Sequence, residues 1–364
     1  MNRTIREHAA SLVSEIEKLA SRFDRQINIM EVCGTHTVSL RRHGVHSLLP
    51  ESIHLVSGPG CPVCVTPADY IDNALELLDN KSAIVATFGD MVKVPGSDGR
   101  TLSEYLGRGK TRVVYSPLQL AALCEDLEPA ESVEIVFLAV GFETTIPPVL
   151  GALSDALATN EKRLSFYTAF KTVPPALSAL LSDPENTIDA FLLPGHVSII
   201  LGETGYRFLE EYRTPGVITG FEPIEMLTGI RTALQMVGEG DCVVANEYPR
   251  VVKADGNPRA RALIERYLEP VDATWRGLGA IPNSALGIRD EFSRYDAAVR
   301  FDLEQRHVAD PPGCRCGEVI SGKCDPTDCR HFGRTCTPDN PVGPCMVSSE
   351  GTCAAYLKYG SIRV

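Results

Sequence analysis

The residues of this chain best suited to chemistry are cysteines in two groups. Cys33, Cys61 and Cys64 sit in glycine-rich segments near the N-terminus. Cys314, Cys316, Cys324, Cys329, Cys336, Cys345 and Cys353 crowd the last part of the chain. Of the 12 cysteines, only Cys124 and Cys242 fall outside these groups. Thiolates are nucleophiles, redox partners and soft metal ligands. A chain of 364 residues has no need of disulfide staples. In a reducing compartment, clustered cysteines bind metal or do redox chemistry. The pattern therefore implies two thiol sites.

Cys33 follows an apolar run in Met30-Glu31-Val32-Cys33-Gly34-Thr35-His36-Thr37. Cys61 and Cys64 form a Cys-x-x-Cys pair in Ser57-Gly58-Pro59-Gly60-Cys61-Pro62-Val63-Cys64, again after an apolar run. The helix expected to start near Pro67 would turn its positive end toward this pair and favour thiolate. His36 suits a place near the site or a satisfied turn. Asp90, Glu143 and His196 each follow glycine or precede a helix at a strand end, and Glu143 and His196 are read as functional. Thr144, Thr145 and Ser198 serve equally well as helix caps. In the tail, four thiolates would suit a structural zinc or an iron–sulfur cluster. The spacings match neither paired zinc knuckles nor the ferredoxin run, so they do not choose the metal or the four ligands.

The elements that must position these residues alternate. Strands are expected at 27–32, 53–57, 83–88, 112–116, 133–140, 164–170, 188–193 and 216–219. Helices are expected at 67–79, 146–157, 174–182, 198–212 and 223–237, the first capped by Thr66 with Pro67 at its first position. Strand–helix alternation predicts parallel sheets with crossover helices, and ligands in such sheets sit at the carboxyl ends of strands. The fold class expected is α/β, with two parallel-sheet domains at 1–120 and 121–240. A C-terminal region, 241–364, carries the cysteine-rich segment. That segment has few apolar runs, so a bound cluster is expected to order it. Gly-Phe-Glu recurs at 141–143 and 220–222, suggesting a shared strand-end turn. A net charge of −12 argues against a nucleic-acid partner. With no signal peptide and no run of 18 apolar residues, the expectation is a cytoplasmic protein with no membrane partner.

Taken together, MEVCGTHT (30–37), SGPGCPVC (57–64), FGDMVKVPG (88–96), GFETT (141–145), PGHVS (194–198), GFEP (220–223) and CTPDNPVGPCMVSSEGTCAAY (336–356) resemble the HypD family of [NiFe]-hydrogenase maturation proteins. The stretches run through nearly the whole chain in order. One local departure is Thr35, where many relatives are expected to carry a second glycine before the histidine. The resemblance implies an assembly scaffold on which iron receives two cyanides and one carbon monoxide. It implies a HypC-type chaperone and a HypE-type cyanide donor as partners, and a [4Fe-4S] cluster supplying redox chemistry. Cys33, Cys61 and Cys64 become iron-site or redox thiols, with His36 nearby. Cys314, Cys329, Cys336 and Cys353 become the cluster ligands, with Cys316 and Cys345 as alternates. The competing readings are an iron–sulfur-dependent thiol–disulfide oxidoreductase acting on a protein partner, and a zinc-stabilised interaction module.

Overall fold

The computed structural model describes residues 3–127, 133–306 and 308–360. Among the described residues, eleven strands build two sheets. They are β1 (Ile27–Glu31), β2 (Ile53–Ser57), β3 (Ala83–Thr87), β4 (Thr111–Val113), β5 (Glu134–Gly141), β6 (Leu164–Lys171), β7 (Ala190–Pro194), β8 (Gly216–Thr219), β9 (Val244–Asn246), β10 (Leu268–Trp275) and β11 (Gly279–Ile288). The first sheet has the order β2-β1-β7-β8-β9 and is parallel throughout. The second has the order β10-β11-β6-β5-β3-β4. It is parallel except where β11 pairs antiparallel with β10 and β6.

The parallel strands read as apolar runs because helices cover both of their faces. β5, with seven of its eight residues buried, shows this best. The α/β class expected from alternation is what the chain adopts. The hairpin β10–β11 and the short edge strand β9 were not anticipated. The helix expected over 198–212 is corrected: it is two pieces, Gly195–Leu201 and a 3-10 stretch Thr204–Glu210. Gly202 separates them at φ +70°, and a Cβ there would lie 2.2 Å from Ala254 O. A helix cannot continue through that residue.

β1 has β2 on one side and β7 on the other. The chain leaves β1 toward β2 on one side and leaves β7 toward β8 on the other, so the carboxyl ends of β1 and β7 form a switch point where a crevice opens. The tail does not form a core of its own. Ile320, Cys345, Met346 and Cys353 bury into the core that holds Met30, Val56 and Phe191. Among the described residues, no helix is long and apolar enough to cross a membrane.

Candidate functional site

β1 and β2 carry their cysteines to one place. Cys33 lies two residues past β1 and stands before the helix Gly34–Arg42 in extended conformation. Cys61 stands before a one-turn helix, Pro62–Val65, and is joined to Cys64 by a disulfide. Gly34 N donates to Gly60 O at 3.3 Å. A Cβ on Gly60 would stand 1.5 Å from the Val32 carbonyl oxygen, so only glycine lets the two strand ends meet. The expected helix start needs correction. Thr66 closes the short helix, its Oγ1 donating to Pro62 O at 2.8 Å, and the long helix Ala68–Asn80 begins after Pro67. The pair therefore sits on a single turn, with few aligned peptide dipoles behind it.

Cys33 opens onto a cleft of about 520 Å³ between the two sheets. Pro194 and His196 from the first sheet face Phe142, Thr144 and Val173 from the second, and Glu350 reaches in from the tail. Burial, reinforced by the negative charge of Glu350, pushes the Cys33 thiol up to about 11. At neutral pH it keeps its proton.

His36 stands one layer behind. It is fully buried, with Nε2 3.0 Å from Gly220 O. Burial lowers its pKa to about 4, so the ring is neutral. A carbonyl neighbour places the N–H on Nε2 and leaves Nδ1, which has no partner among the described residues, as a bare acceptor. Phe221 lies between the two histidine rings, 4.7 Å from His36 and stacked at 4.0 Å on His196. The two Gly-Phe-Glu turns do share a strand-end position, but their glutamates diverge. Glu222 caps the helix Pro223–Glu239 in a capping box with Glu225. Glu143 is buried, its Oε1 accepting from Val173 N at 2.8 Å. Thr145 precedes the helix Ile146–Thr159 without a side-chain cap bond, and Ser198 Oγ donates to Pro194 O.

Glu143 Oε2 is also buried with no partner among the described residues, and burial pushes this carboxyl up to about 7 from an ordinary 4.5. Because the folded pKa is the higher one, the protonated group's contribution to stability is fully present below about 4.5. It is lost as pH rises through about 7. Glu143→Gln should therefore match the parent near pH 4.5 and exceed it above pH 7, by about 3 kcal/mol at 1.36 kcal/mol per unit. Urea unfolding at both pH values measures this. An equal difference at the two would show that Glu143 is ionised in the fold.

The tail folds back onto this site. Asp90 accepts from Ser348 Oγ, Ser349 N and Ser349 Oγ at 3.1, 3.1 and 2.9 Å. Thr35 Oγ1 donates to Glu350 Oε1 at 2.7 Å, and a Cβ on Gly34 would lie 2.3 Å from Glu350 O. Arg41 lies 3.4 Å over the Tyr356 ring. Sequence reasoning missed Glu350. Its signal was a lone carboxylate between two serines and a glycine inside a cysteine-rich stretch.

Cys314, Cys316, Cys329, Cys336 and Cys353 line a small apolar pocket. The sulfurs of Cys314 and Cys316 are 3.3 Å apart. Cys345, fully buried, hydrogen-bonds to Cys316 and Cys353. The proton lies with Cys345, whose thiol is raised by these neighbours, while hydrogen bonds from Cys316 and Cys345 lower Cys353 to about 6. Cys324 stands apart in a separate polar cleft with His54 and Asp325. The turn Pro344–Met346, which carries Cys345, packs against the Pro62–Val65 helix that carries Cys64. The disulfide and the tail pocket thus adjoin.

These motifs agree with what comparison with known proteins finds. The HypD profile, described as the hydrogenase formation hypA family, matches residues 7–360. The chain belongs to the HypD family. It is 41% identical over 369 residues to the hydrogenase expression/formation protein HupD of Azotobacter chroococcum mcd 1, covering 99% of this chain and 95% of that one. The hydrogenase maturation factor HypD of Azotobacter vinelandii is 40% identical over 368 residues, with 99% and 95% covered. That of Escherichia coli (strain K12) is 39% identical over 359 residues, with 97% and 95% covered. In this HypD-family chain the structure brings Cys33 and His196 to one cleft, with the Cys61–Cys64 disulfide buried beside it at the Gly60–Pro62 turn and His36 and Glu143 one layer behind. It brings Cys314, Cys329, Cys336 and Cys353 to a second pocket, together with Cys316 and, behind them, Cys345.

Proposed function

We propose that this HypD-family chain is a hydrogenase maturation scaffold on which iron receives two cyanides and one carbon monoxide. The observation that carries the reading is the cleft itself. Cys33, a soft ligand, opens onto it beside the Cys61–Cys64 pair, and the tail pocket packs directly behind that pair. Iron is the cargo here, a guest that enters, is modified and leaves. Thiolate suits low-spin iron with cyanide and carbon monoxide ligands. The cleft's apolar wall of Val32, Phe142, Val173 and Pro194 would keep water from the metal. A HypC-type chaperone and a HypE-type cyanide donor are the partners proposed.

The tail thiols suit a [4Fe-4S] cluster. Among the described residues, no three His, Cys, Asp or Glu side chains stand ready to grip one metal ion. A cluster's ligands sit on separate irons and need not converge on a point. Six thiols in or behind one apolar pocket form a suitable donor set, and the buried Arg276 Nη1, unpartnered among the described residues, suits an anionic neighbour. Cys314, Cys329, Cys336 and Cys353 would hold the cluster, with Cys316 and Cys345 as alternates. When bound, the cluster supplies one-electron transfer beside the disulfide.

The disulfide favours a second reading, a thiol–disulfide oxidoreductase acting on a protein partner. Anaerobic purification, alone and with the chaperone, separates the two. The scaffold reading expects about four irons and four sulfides per chain in the tail, and infrared bands of iron-bound cyanide and carbon monoxide in the complex. A cluster without those bands leaves the oxidoreductase, and stoichiometric zinc without sulfide removes both.

A further inference from the structure

The tip of the β10–β11 hairpin reaches between the two thiol sites. Arg276 N donates to Val65 O at 2.8 Å, at the end of the disulfide-bearing helix. The next residue, Gly277, is at φ +79°. A Cβ on it would stand 2.2 Å from Gly317 Cα, one residue beyond Cys316. The tip is therefore clamped to both sites by backbone.

The Arg276 side chain is only 4% exposed. Its Nε donates to Asp310 Oδ1 at 2.6 Å, while Nη1 is buried without a partner among the described residues. Guanidinium is charged at every working pH and has five N–H donors to satisfy. A buried, unpaired N–H on a cation is costly unless an anion meets it. Asp310 leads into the turn in which Cys314 N donates to Pro311 O at 2.9 Å. The positive charge of Arg276 is felt at Cys314, where it opposes the neighbours that raise that thiol.

We infer that Arg276 is a positioning residue that sets the reduction potential of the tail cofactor, its buried charge favouring the reduced, more negative state. The inference rests on the reading that a cluster occupies the tail pocket. Reduction adds one electron, and so one negative charge, to a centre in a low-dielectric site. A fixed cation nearby stabilises the product more than the reactant. Asp310 works against it as the partly compensating anion.

The test is a dithionite titration of the anaerobic full-length chain, followed by electron paramagnetic resonance. Arg276→Gln should lower the midpoint so that the reduced-to-oxidised ratio at fixed potential falls at least tenfold, 59 mV for one electron. Asp310→Asn should move the midpoint in the opposite direction. Arg276→Lys, which keeps the charge, should keep the midpoint near the parent's, and Asp310→Asn carries the test if the glutamine variant does not fold. Iron and sulfide contents equal to the parent's exclude a purely structural effect. A parent chain with a cluster, and midpoints unmoved in Asp310→Asn and in Arg276→Gln, would overturn this inference alone. A parent chain without sulfide overturns it together with the reading on which it rests.

Discussion

A Cys33→Ala chain should fold, keep its tail cofactor, and leave a strain that depends on it without [NiFe]-hydrogenase activity. The stability cost should be small, because one short side chain is lost from a site already bounded by glycine and open to the cleft. About 1 kcal/mol is the expectation for such a substitution. The functional cost should be nearly complete, since the only free thiol among the described residues of the cleft wall goes with it. Burial alone does not make this case. Cys124 is also buried and its thiol is also raised to about 11. Yet Cys124 sits in the helix Gln119–Glu125, packed on the second sheet away from the disulfide and Glu350. Cys124→Ala is therefore the control and should support normal maturation. Hydrogenase activity of the complemented strains and thermal melts of the purified chains decide it. Full activity with Cys33→Ala would remove this thiol from the chemistry.

The reason Cys33 could be picked out in sequence is physical. A parallel strand covered on both faces is an apolar run, and β1, β2, β5 and β7 were legible as such. The residue just past each run lands at the carboxyl edge of a sheet, where sites form. Reading strand ends was thus enough to gather Cys33, Cys61, Glu143 and His196. What this rule does not give is orientation. Glu143 and His36 turn inward to bond Val173 N and Gly220 O, and nothing in their local sequence says so.

The hairpin β10–β11 escaped for the opposite reason. Pro270, Asp272, Pro282 and Asn283 break any apolar alternation, and the pairing itself shifts register between Val271 and Ala273. Its strands pair with each other and β11 with β6, and the apolar side chains they bury, Leu268, Trp275, Ile281, Ala285 and Ile288, follow no strict alternation. The tail's placement was out of reach of any local pattern. Thr35 and Glu350 are 315 positions apart in sequence, yet they share a hydrogen bond. Cysteine spacing could announce a tail site but could not rank its ligands. Cys316 and Cys345, set aside as alternates, prove to be more deeply buried than Cys314 and Cys329.

Replacing both Cys61 and Cys64 by serine should leave the tail's visible absorption intact and abolish the infrared bands of iron-bound cyanide and carbon monoxide. The stability cost is limited, because a bridge between residues three apart closes a very short loop, worth about 2 kcal/mol. Opening the bridge takes two electrons and two protons and yields two thiols, so the pair can store what an assembly step consumes. The two sulfurs are not equivalent in place. Cys61 lies between Gly60 and Pro62, which line the cleft, while Cys64 lies on the helix packed against Cys345's turn. If the pair were only an iron ligand, Cys61→Ser should be the damaging change and Cys64→Ser should be tolerated. If it relays electrons, each single replacement should stop assembly as fully as the double one, because one sulfur cannot form the bridge. A double variant that still carries iron with both diatomic ligands would make the pair neither ligand nor relay. The disulfide would then be a staple for the Gly60 turn.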